Sequence, residues 1–279
     1  MVEVKFVGRL GNQLFQYAFI YATAKKLNTR FYVDTTFEGN YLTEYFHLKF
    51  NPLYTLDKYL FSIQGYKNIF RSHLKIRFYK GLRWLLNLKP VQFSLDIAPE
   101  LELQKLSNNV SYEGYFQSEE YFSGYQADIK KIYQIKKGHV SKFLNSSKNL
   151  PEHRKLITIH IRRGDYLAAD AILPLDYYHR AIKSVHEPGN LYVVISDDPA
   201  YTADEFKYLE KLHISNSTDI VDFQYLIHAD CCILSNSTFS WWGAYLNQKK
   251  AKVIAPKNWL GDKNEEWPHS ILLKEWIKM

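Results

Sequence analysis

The stretch HIRRGD, residues 160–165, carries two adjacent arginines at the end of an alternating apolar run that is typical of a half-buried β-strand. Neighbouring guanidinium groups repel each other unless an anion lies beside them, and a guanidinium presents a planar fork of N–H donors that matches phosphate oxygens. Arg162 shares a face of the strand with His160, whereas Arg163 points the other way. We therefore predict that Arg162 binds a phosphate and that Arg163 can pair with a carboxylate.

The two residues after the arginines leave several roles open. Gly164 would allow the chain to bend sharply, and Asp165 could orient Arg162, act as a base or cap the next segment. The simpler alternative for the whole stretch is a cluster of ion pairs at a strand end that binds no ligand.

The sequence SDDP, residues 196–199, places two carboxylates at the end of another predicted strand. Asp197 and Asp198 could bind a divalent metal, accept hydrogen bonds from a guanine or a ribose, or cap the helix that follows. A metal site would favour DxD spacing and further acidic ligands, which the sequence does not supply around this pair. We therefore predict that no metal binds here.

In SNSTFSWWGAYL, residues 235–246, three hydroxyl residues and Asn236 crowd the predicted start of a helix. Hydroxyls and free backbone N–H groups can together cradle a diphosphate, whereas ordinary helix capping needs only one Ser or Thr. We expect Trp241 and Trp242 to pack in the core rather than on a ligand.

The motif GRLGNQLFQYA, residues 8–18, follows the first predicted strand. Gly8 and Gly11 bracket a tight turn, and the helix is expected to begin near Asn12, where its N-terminus would attract an anion. The motif is not the GxGxxG dinucleotide fingerprint, and the alternative is a plain turn between strand and helix. Asn12 and Gln13 would then place two amides at the mouth of a cleft.

The order of the predicted elements indicates an α/β protein with two Rossmann-like domains. Predicted strands cover residues 2–7, 30–34, 110–116, 155–163, 191–198, 230–235 and 252–256. Predicted helices cover residues 12–28, 118–135, 175–187, 201–212, 218–229 and 238–248. Short apolar strands that alternate with helices are typical of parallel sheets covered on both faces.

The polar stretch 145–154 is the predicted linker between the domains. We expect an N-terminal domain over residues 1–150 on the acceptor side and a C-terminal domain over residues 151–279 on the donor side, facing each other across a cleft. Residues 41–108 lose the alternation, and we predict irregular helices and loops there.

The net charge and the absence of several motifs limit the classes of function that this protein can have. A net charge of +7 favours an anionic partner such as a nucleotide, a nucleic acid or a membrane surface. The sequence has no P-loop, GxSxG, HExxH or spaced Cys/His motif, which argues against ATP-driven phosphoryl transfer and the common hydrolases.

The adjacent Cys231 and Cys232 are predicted to be buried and reduced. Without a secretory signal or a long apolar run, we expect a cytoplasmic protein.

Residues 66–89 are basic and apolar at once. This stretch could make a peripheral contact with an anionic membrane, or form a solvated helical face over the acceptor side. Of the two, the solvated face is favoured.

Taken together, five motifs resemble the bacterial α-1,2-fucosyltransferases of glycosyltransferase family 11. In chain order they are GRLGNQLFQYA, EGYFQSEEYF, HIRRGDY, VISDD and SNSTFSWWGAYL. The HxRRxD pattern alone is shared by wider fucosyltransferase groups, whereas the five in order are specific. Residues 41–108 carry no such motif, and acceptor preference is expected to be encoded there.

The resemblance implies a GT-B fold, GDP-β-L-fucose as donor, a galactose-terminated glycan as acceptor, transfer with inversion to the 2-hydroxyl, no metal or other cofactor, and no nucleic acid. It implies that Arg162 holds the donor phosphate and that Asn12, beside Gly11, faces the fucose. The other implied donor-binding residues are Gly11, Gln13, His160, Asp197, Asp198, Asn236, Ser237, Thr238 and Phe239.

A general base should take the proton of the acceptor hydroxyl. Asp165 is the first candidate, Asp34, Glu38 and Glu113 are candidates on the acceptor side, and a strongly dissociative reaction would need none. Two other functions stay open, namely a fucosyltransferase of another linkage (α-1,6 or O-fucosyl) and a non-catalytic module that binds a sugar or a nucleotide.

Overall fold

The computed structural model describes residues 1–36, 41–48, 69–259 and 268–279. The chain divides into two compact units. The first comprises Met1–Gln134 with Pro268–Ile271, and the second comprises Ile135–Trp267 with Leu272–Met279. The division precedes the predicted boundary at residue 150, because a helix over Lys137–Ser147 packs on a helix of the second unit.

In its described part, the first unit is a parallel four-stranded sheet with helices. Its strands are β1 (Val2–Lys5), β2 (Phe31–Asp34), β3 (Lys89–Gln92) and β4 (Val110–Glu113), in the order β2-β1-β4-β3. Its helices are α1 (Leu10–Lys26), α2 (Tyr41–Tyr45), α3 (Ile69–Leu85), α4 (Pro99–Glu102) and α5 (Gln126–Ile132), with 3₁₀ turns at Leu103–Lys105 and Glu119–Phe122.

The first unit differs from the sequence prediction in two places. The predicted helix over 118–135 is interrupted, because Gly124 takes a left-handed φ of +86° between the Glu119–Phe122 turn and α5. The stretch 41–108 is more regular than predicted where the structure describes it, since it contains α3 and β3.

The second unit carries a parallel six-stranded sheet. Its strands are β5 (Leu156–Ile161), β6 (Leu191–Ser196), β7 (Leu212–Ile214), β8 (Cys231–Ile233), β9 (Lys252–Ala255) and β10 (Ile277–Lys278), in the order β10-β9-β8-β5-β6-β7. Its helices are α6 (Lys137–Ser147), α7 (Gly164–Ala168), α8 (Leu175–Lys183), α9 (Pro199–Glu205), α10 (Asp219–His228) and α11 (Thr238–Tyr245).

The predicted strands and helices of the second unit are confirmed within a few residues, with one correction. The predicted helix over 201–212 ends earlier, because α9 stops at Glu205 and Leu212–Ile214 joins the sheet as β7. A three-residue strand at a sheet edge is too short to show a period of two in the sequence.

Both sheets reverse their direction of growth beside their first strand. From β5 the chain adds β6 and β7 on one side, then returns to place β8, β9 and β10 on the other. In the first unit, β1 is likewise flanked by β2 on one side and β4 on the other. Loops that leave such neighbouring strands in opposite directions open a crevice at the carboxyl edge of the sheet, where α/β proteins bind ligands. The predicted placement of the polar motifs at strand carboxyl ends is confirmed.

The predicted core residues are buried as expected. Trp241 and Trp242 are fully buried and pack edge to face, so they serve the core. Cys231 and Cys232 are buried free thiols within β8. Within the described ranges, no helix combines the length and the apolar character that a membrane crossing requires.

Candidate functional site

Arg162 lies just beyond β5 and is held by carboxylates from two loops. Its Nε and Nη2 donate to Asp165 Oδ1 at 2.9 and 2.6 Å, and its Nη1 lies 2.9 Å from Asp197 Oδ2. Asp197 can reach Arg162 because β6 runs parallel to β5 and ends beside it, with Ile161 opposite Ser196. Of the roles predicted for Asp165, the structure shows the orienting one. Since a guanidinium has five N–H groups, two remain for a ligand.

Arg163 pairs with a carboxylate, as predicted. Its Nε donates to Asp198 Oδ2 at 3.0 Å, its guanidinium lies 3.4 Å from the centre of the Tyr201 ring, and its backbone N–H donates to Asp197. Asp198 also caps α9 by accepting from the Tyr201 backbone N–H. Asp198 is therefore committed to Arg163 and the helix cap, which confirms the capping alternative for this residue.

Gly164 leaves room for the Asp197 carboxylate. It is the first residue of α7, and a Cβ at this position would come within 2.7 Å of Asp197 Oδ2. The glycine thus lets the Asp197 carboxylate approach the backbone and reach Arg162.

His160 joins the ends of β5 and β8. Its Nδ1 lies 2.7 Å from Ser235 Oγ, and its ring packs 5.4 Å from the Phe239 ring. Burial, reinforced by the nearby Arg162 charge, lowers the pKa of His160 to about 3. The imidazole is therefore neutral at physiological pH, and it positions the β8 loop without adding charge.

The start of α11 presents polar groups at the same edge of the sheet. Ser237 occupies the N-cap position but makes no capping hydrogen bond with its side chain. Asn236 is buried, its Nδ2 donates to the Ala171 carbonyl at 2.8 Å, and its Oδ1 has no hydrogen-bond partner. A buried acceptor without a donor costs free energy unless a ligand or water supplies one, so the Asn236 Oδ1 can accept a hydrogen bond from either.

Tyr166, which was not predicted from the sequence, links Arg162 to the start of α11. Its hydroxyl donates to the Asn236 carbonyl at 2.9 Å, and the Arg162 guanidinium lies 5.7 Å from its ring centre. The signal was available, because Tyr166 is the last residue of the HIRRGDY motif. The loops after β5, β6 and β8 thus form one connected site in the second unit, and Thr238 and Phe239 begin the helix that borders it.

In the first unit, Asn12 lies in the first turn of α1, which begins at Leu10, two residues earlier than predicted. Gln117, which follows β4, donates from Nε2 to Asn12 Oδ1 at 3.0 Å. Gly8 has a φ of +76°, and a Cβ there would lie 2.3 Å from Asn12 Nδ2. Gly8 and Gln117 therefore fix the position of the Asn12 amide, and Gln117 explains part of the EGYFQSEEYF motif.

Gln13 makes hydrogen bonds within the fold, and its contact with the donor stays a prediction. It is fully buried, its Nε2 donates to the Gly8 carbonyl at 3.1 Å, and its Oε1 accepts from the Tyr41 backbone N–H at 3.0 Å. Gln16, which the sequence analysis did not consider, similarly ties the Val7 N–H to the Gly114 carbonyl. Gly11 is buried within the first turn of α1.

Asp34 is also held within the fold, and its role as an acceptor-side base stays a prediction. It is 1% exposed and forms an ion pair with Arg83 of α3, which also binds Glu3 at 2.8 Å. Burial raises the pKa of Glu3 despite this pairing.

The remaining acceptor-side candidates stay predictions. Glu113 ends β4 and lies 3.6 Å from Lys5 Nζ, with a partly exposed side chain. Glu38 lies outside the described residues. Among the described residues, no group of three or more His, Cys, Asp or Glu side chains is placed to hold a metal ion.

Several characterised proteins are similar to the chain in sequence. The Escherichia coli O-antigen biosynthesis glycosyltransferase WbnK is 27% identical, with 98% of each chain covered. An Escherichia coli alpha-1,2-colitosyltransferase is 26% identical over 93% of this chain and 92% of its own. A Caenorhabditis elegans galactoside 2-alpha-L-fucosyltransferase is 32% identical over 50% of this chain and 43% of its own.

Solved structures share the fold. NodZ alpha-1,6-fucosyltransferase soaked with GDP-fucose matches 88% of this chain and 92% of its own at 12% identity, with a TM-score of 0.52. Arabidopsis thaliana FUT1 in complex with GDP matches 91% of this chain and 70% of its own at 11% identity, with a TM-score of 0.56. The predicted class, α/β with two Rossmann-like units as in GT-B fucosyltransferases, is therefore confirmed.

The family model of glycosyl transferase family 11 matches residues 1–279, the whole of the sequence. This match covers both sheets, their switch points and all five motifs, and it agrees with the likeness to the Escherichia coli transferases. The chain belongs to glycosyl transferase family 11 and is a glycosyltransferase.

Proposed function

We propose that this glycosyltransferase moves L-fucose from GDP-β-L-fucose to the 2-hydroxyl of a galactose in a glycan, with inversion to an α-fucoside. The observation that carries the proposal is Arg162, which stands at the switch point of the second sheet with two N–H groups left for a ligand. The orphan acceptor of Asn236 and the start of α11 lie on the loop after the adjacent strand β8.

The chemistry of the departing group explains why these residues are suited to the reaction. As the bond from the anomeric carbon to GDP breaks, negative charge grows on the β-phosphate and the fucose acquires oxocarbenium character. A fixed guanidinium and the positive end of the α11 dipole stabilise that charge where it develops, without reorganising. The Asn236 Oδ1 can accept a hydrogen bond from a ribose hydroxyl or a guanine N–H, but not from a phosphate.

We further propose that the diphosphate displaces Asp165 from Arg162 while Asp197 keeps the guanidinium in place. Asp165 is 59% exposed and Asp197 is 25% exposed, so Asp165 can turn into solvent at less cost. The diphosphate then replaces Asp165 as the anionic partner of Arg162. It is repelled by one carboxylate, that of Asp197, instead of by two. Once released, Asp165 is also free to serve as the general base for the acceptor hydroxyl.

The assignment of fucose and of the 2-linkage rests on the five motifs and on the names of the relatives. The galactoside 2-alpha-L-fucosyltransferase is the relative that names this reaction, and it is similar over half of the chain. Asn12 is the candidate on the first unit that we propose contributes to transfer, because its amide is held in a fixed position by Gln117. The reaction is proposed to proceed without a metal.

Transfer of colitose, the 3-deoxy analogue of fucose, is a second candidate. It is favoured by the likeness to an alpha-1,2-colitosyltransferase, which extends over 93% of this chain. The two sugars differ by one hydroxyl group, and a site built to bind that hydroxyl would discriminate strongly against the analogue without it.

The test is release of GDP from GDP-fucose and, in parallel, from GDP-colitose. Each donor is incubated with the full chain, with EDTA, and with lactose, N-acetyllactosamine or Galβ1-3GalNAc. Release that depends on the acceptor and is faster from GDP-fucose supports the proposal. Faster release from GDP-colitose would establish the second candidate, and GDP binding without release from either donor on this panel would contradict both.

A further inference from the structure

Helix α3 exposes a large apolar side chain that neither the fold nor the proposed reaction explains. Trp84 is 84% exposed, and Leu85 and Leu74 are 73% and 44% exposed. Tryptophan is seldom so exposed on a protein surface unless it meets another surface, and its amphipathic ring suits the boundary between water and lipid. The other tryptophans that the structure describes are buried. They are Trp241, Trp242, Trp259 and Trp276.

The opposite side of α3 is fixed to the sheet, so the exposed side chains face away from it. Tyr79 is buried, its hydroxyl donates to the Val33 carbonyl, and its ring stacks with Tyr32 at 6.3 Å. Arg83 binds Glu3 and Asp34 from the same side. The helix is therefore anchored to β1 and β2, and its outer face is held in a defined orientation.

Basic residues share that outer face with the apolar ones. Arg77 and Lys80 are exposed and lie seven and four positions before Trp84, so the three side chains fall on one stripe of the helix. The sequence of α3 contains five Lys or Arg and no Asp or Glu. A helix face that combines exposed cations with Trp and Leu is complementary to a surface that is anionic outside and apolar beneath.

From this face we propose that α3 is a membrane-docking helix that lies in the headgroup region of an anionic lipid bilayer. Arg77 and Lys80 bind the lipid phosphates, and Trp84, Leu85 and Leu74 enter the boundary below them. The other explanation considered from the sequence, a merely solvated helical face, accounts for the cations but not for Trp84. The proposal does not depend on which sugar the enzyme transfers.

The test is sedimentation of the full chain with vesicles of phosphatidylcholine, with and without phosphatidylglycerol. We expect binding to the anionic vesicles that weakens as salt is added, because exposed charges are screened. Each basic residue near an anionic surface contributes about fivefold in affinity. We therefore expect the double variant Arg77→Glu/Lys80→Glu to weaken binding by at least about tenfold. We expect a loss of at least about tenfold for Trp84→Ser as well, because the indole ring no longer enters the lipid boundary.

Helix α6 provides a matched control, because it also exposes a leucine and a lysine. Leu144 is 53% exposed and Lys142 is exposed on the same helix. The Leu144→Ser/Lys142→Glu variant should bind the vesicles as the wild type does. Lipids brominated in the upper acyl chain should quench Trp84 emission in the bound wild type, and the quenching should be lost in Trp84→Phe.

Three results would overturn the proposal: no binding to anionic vesicles, equal binding to neutral ones, or equal losses in the α6 control. Failure here is separable from failure of the proposed reaction. The α3 variants should bind GDP as tightly as the wild type in calorimetric titration, because these residues take no part in donor binding.

Discussion

At the scale of single residues, the two arginines of HIRRGD are held differently and so should respond differently to mutation. Arg162 has two N–H groups left for the donor, whereas Arg163 is enclosed by Asp198 and the Tyr201 ring. Arg162→Ala should lower kcat/KM for transfer on the order of 100-fold or more, because the charge on the departing β-phosphate loses its partner. Arg163→Ala should lower Tm while costing much less activity.

Steady-state kinetics and thermal melts of both variants check this contrast. Arg154→Ala is the control, because it removes an exposed ion pair with Glu187 and precedes β5, whereas Arg162 follows the other end of that strand. Near-normal turnover by Arg162→Ala would remove Arg162 from the donor site.

Asp165 has two proposed functions that a single variant can separate. Asp165→Asn keeps the shape of the side chain but removes the charge that competes with the diphosphate. GDP should therefore bind as tightly as to the wild type or more tightly, whereas kcat should fall if Asp165 is the base. Calorimetric titration with GDP, beside the kcat measurement, distinguishes the roles. Weaker GDP binding in this variant would show that Asp165 supports Arg162 in the complex and is not displaced.

His160 should make stability depend on pH. Its folded pKa is about 3, below the ordinary value near 6.5, so between these values the unfolded chain binds a proton that the folded chain does not. Stability from this residue is therefore present above pH 6.5 and is lost as the pH falls towards 3, by about 1.4 kcal/mol per pH unit.

The measurement is the difference in unfolding free energy between the wild type and His160→Gln across this range. Asp222, whose pKa burial raises to about 6, acts in the opposite direction, and its contribution cancels in the difference. A difference that does not change with pH would contradict the burial of a neutral His160.

From the sequence, the chemical role of these residues could be predicted better than the residues that they contact. Two adjacent arginines required an anion, and the pairing of Arg163 followed directly. The sequence did not indicate that Asp197 reaches Arg162, because that contact depends on the register of β5 and β6, whose residues lie far apart along the chain. The ion pair of Asp34 was not predicted for the same reason, since its partner Arg83 is on a helix outside any motif.

At the scale of elements, the close approach of α10 and α11 supports the loop that carries Asn236 and Ser237. A Cβ on Gly243 would lie 2.6 Å from Leu226 Cβ, an atom at the root of its side chain that cannot move aside. Gly243→Ala should therefore cost about 1–3 kcal/mol of unfolding free energy. Gly81→Ala in α3, where nothing lies within 4 Å, should instead gain about 0.5–1 kcal/mol. Denaturant melts of both variants measure the contrast, and equal effects would contradict it.

The longer elements were predictable because their apolar periodicity matches their burial. Strands β5 and β6 are fully or almost fully buried runs, and α1 and α10 are apolar over most of their length. The two-residue β10 and three-residue β7 are too short to carry a period, and the outer face of α3 mixes basic and apolar side chains, which obscured its packing. The helix predicted over 118–135 is interrupted at Gly124, because the periodicity of apolar residues does not reveal a single residue with a left-handed backbone conformation.

At the scale of the whole molecule, each unit places its motifs at the switch point of its own sheet. The β5–β8 junction carries Arg162, His160 and Asn236, and the β1–β4 junction carries Asn12 and Gln117. The alternation of elements predicted two such sheets, but strand order cannot be derived from one sequence, so the switch points were visible only in the structure. That repeated placement supports transfer of a nucleotide-linked sugar by the full chain.

The most direct test is to identify the product formed by the full chain from GDP-fucose and lactose with EDTA present. NMR of the purified product should show fucose α-linked to the 2-hydroxyl of galactose, and Arg162→Ala should yield little of it. A fucoside of another linkage or anomeric configuration, or release of GDP at the same rate without acceptor, would contradict the account.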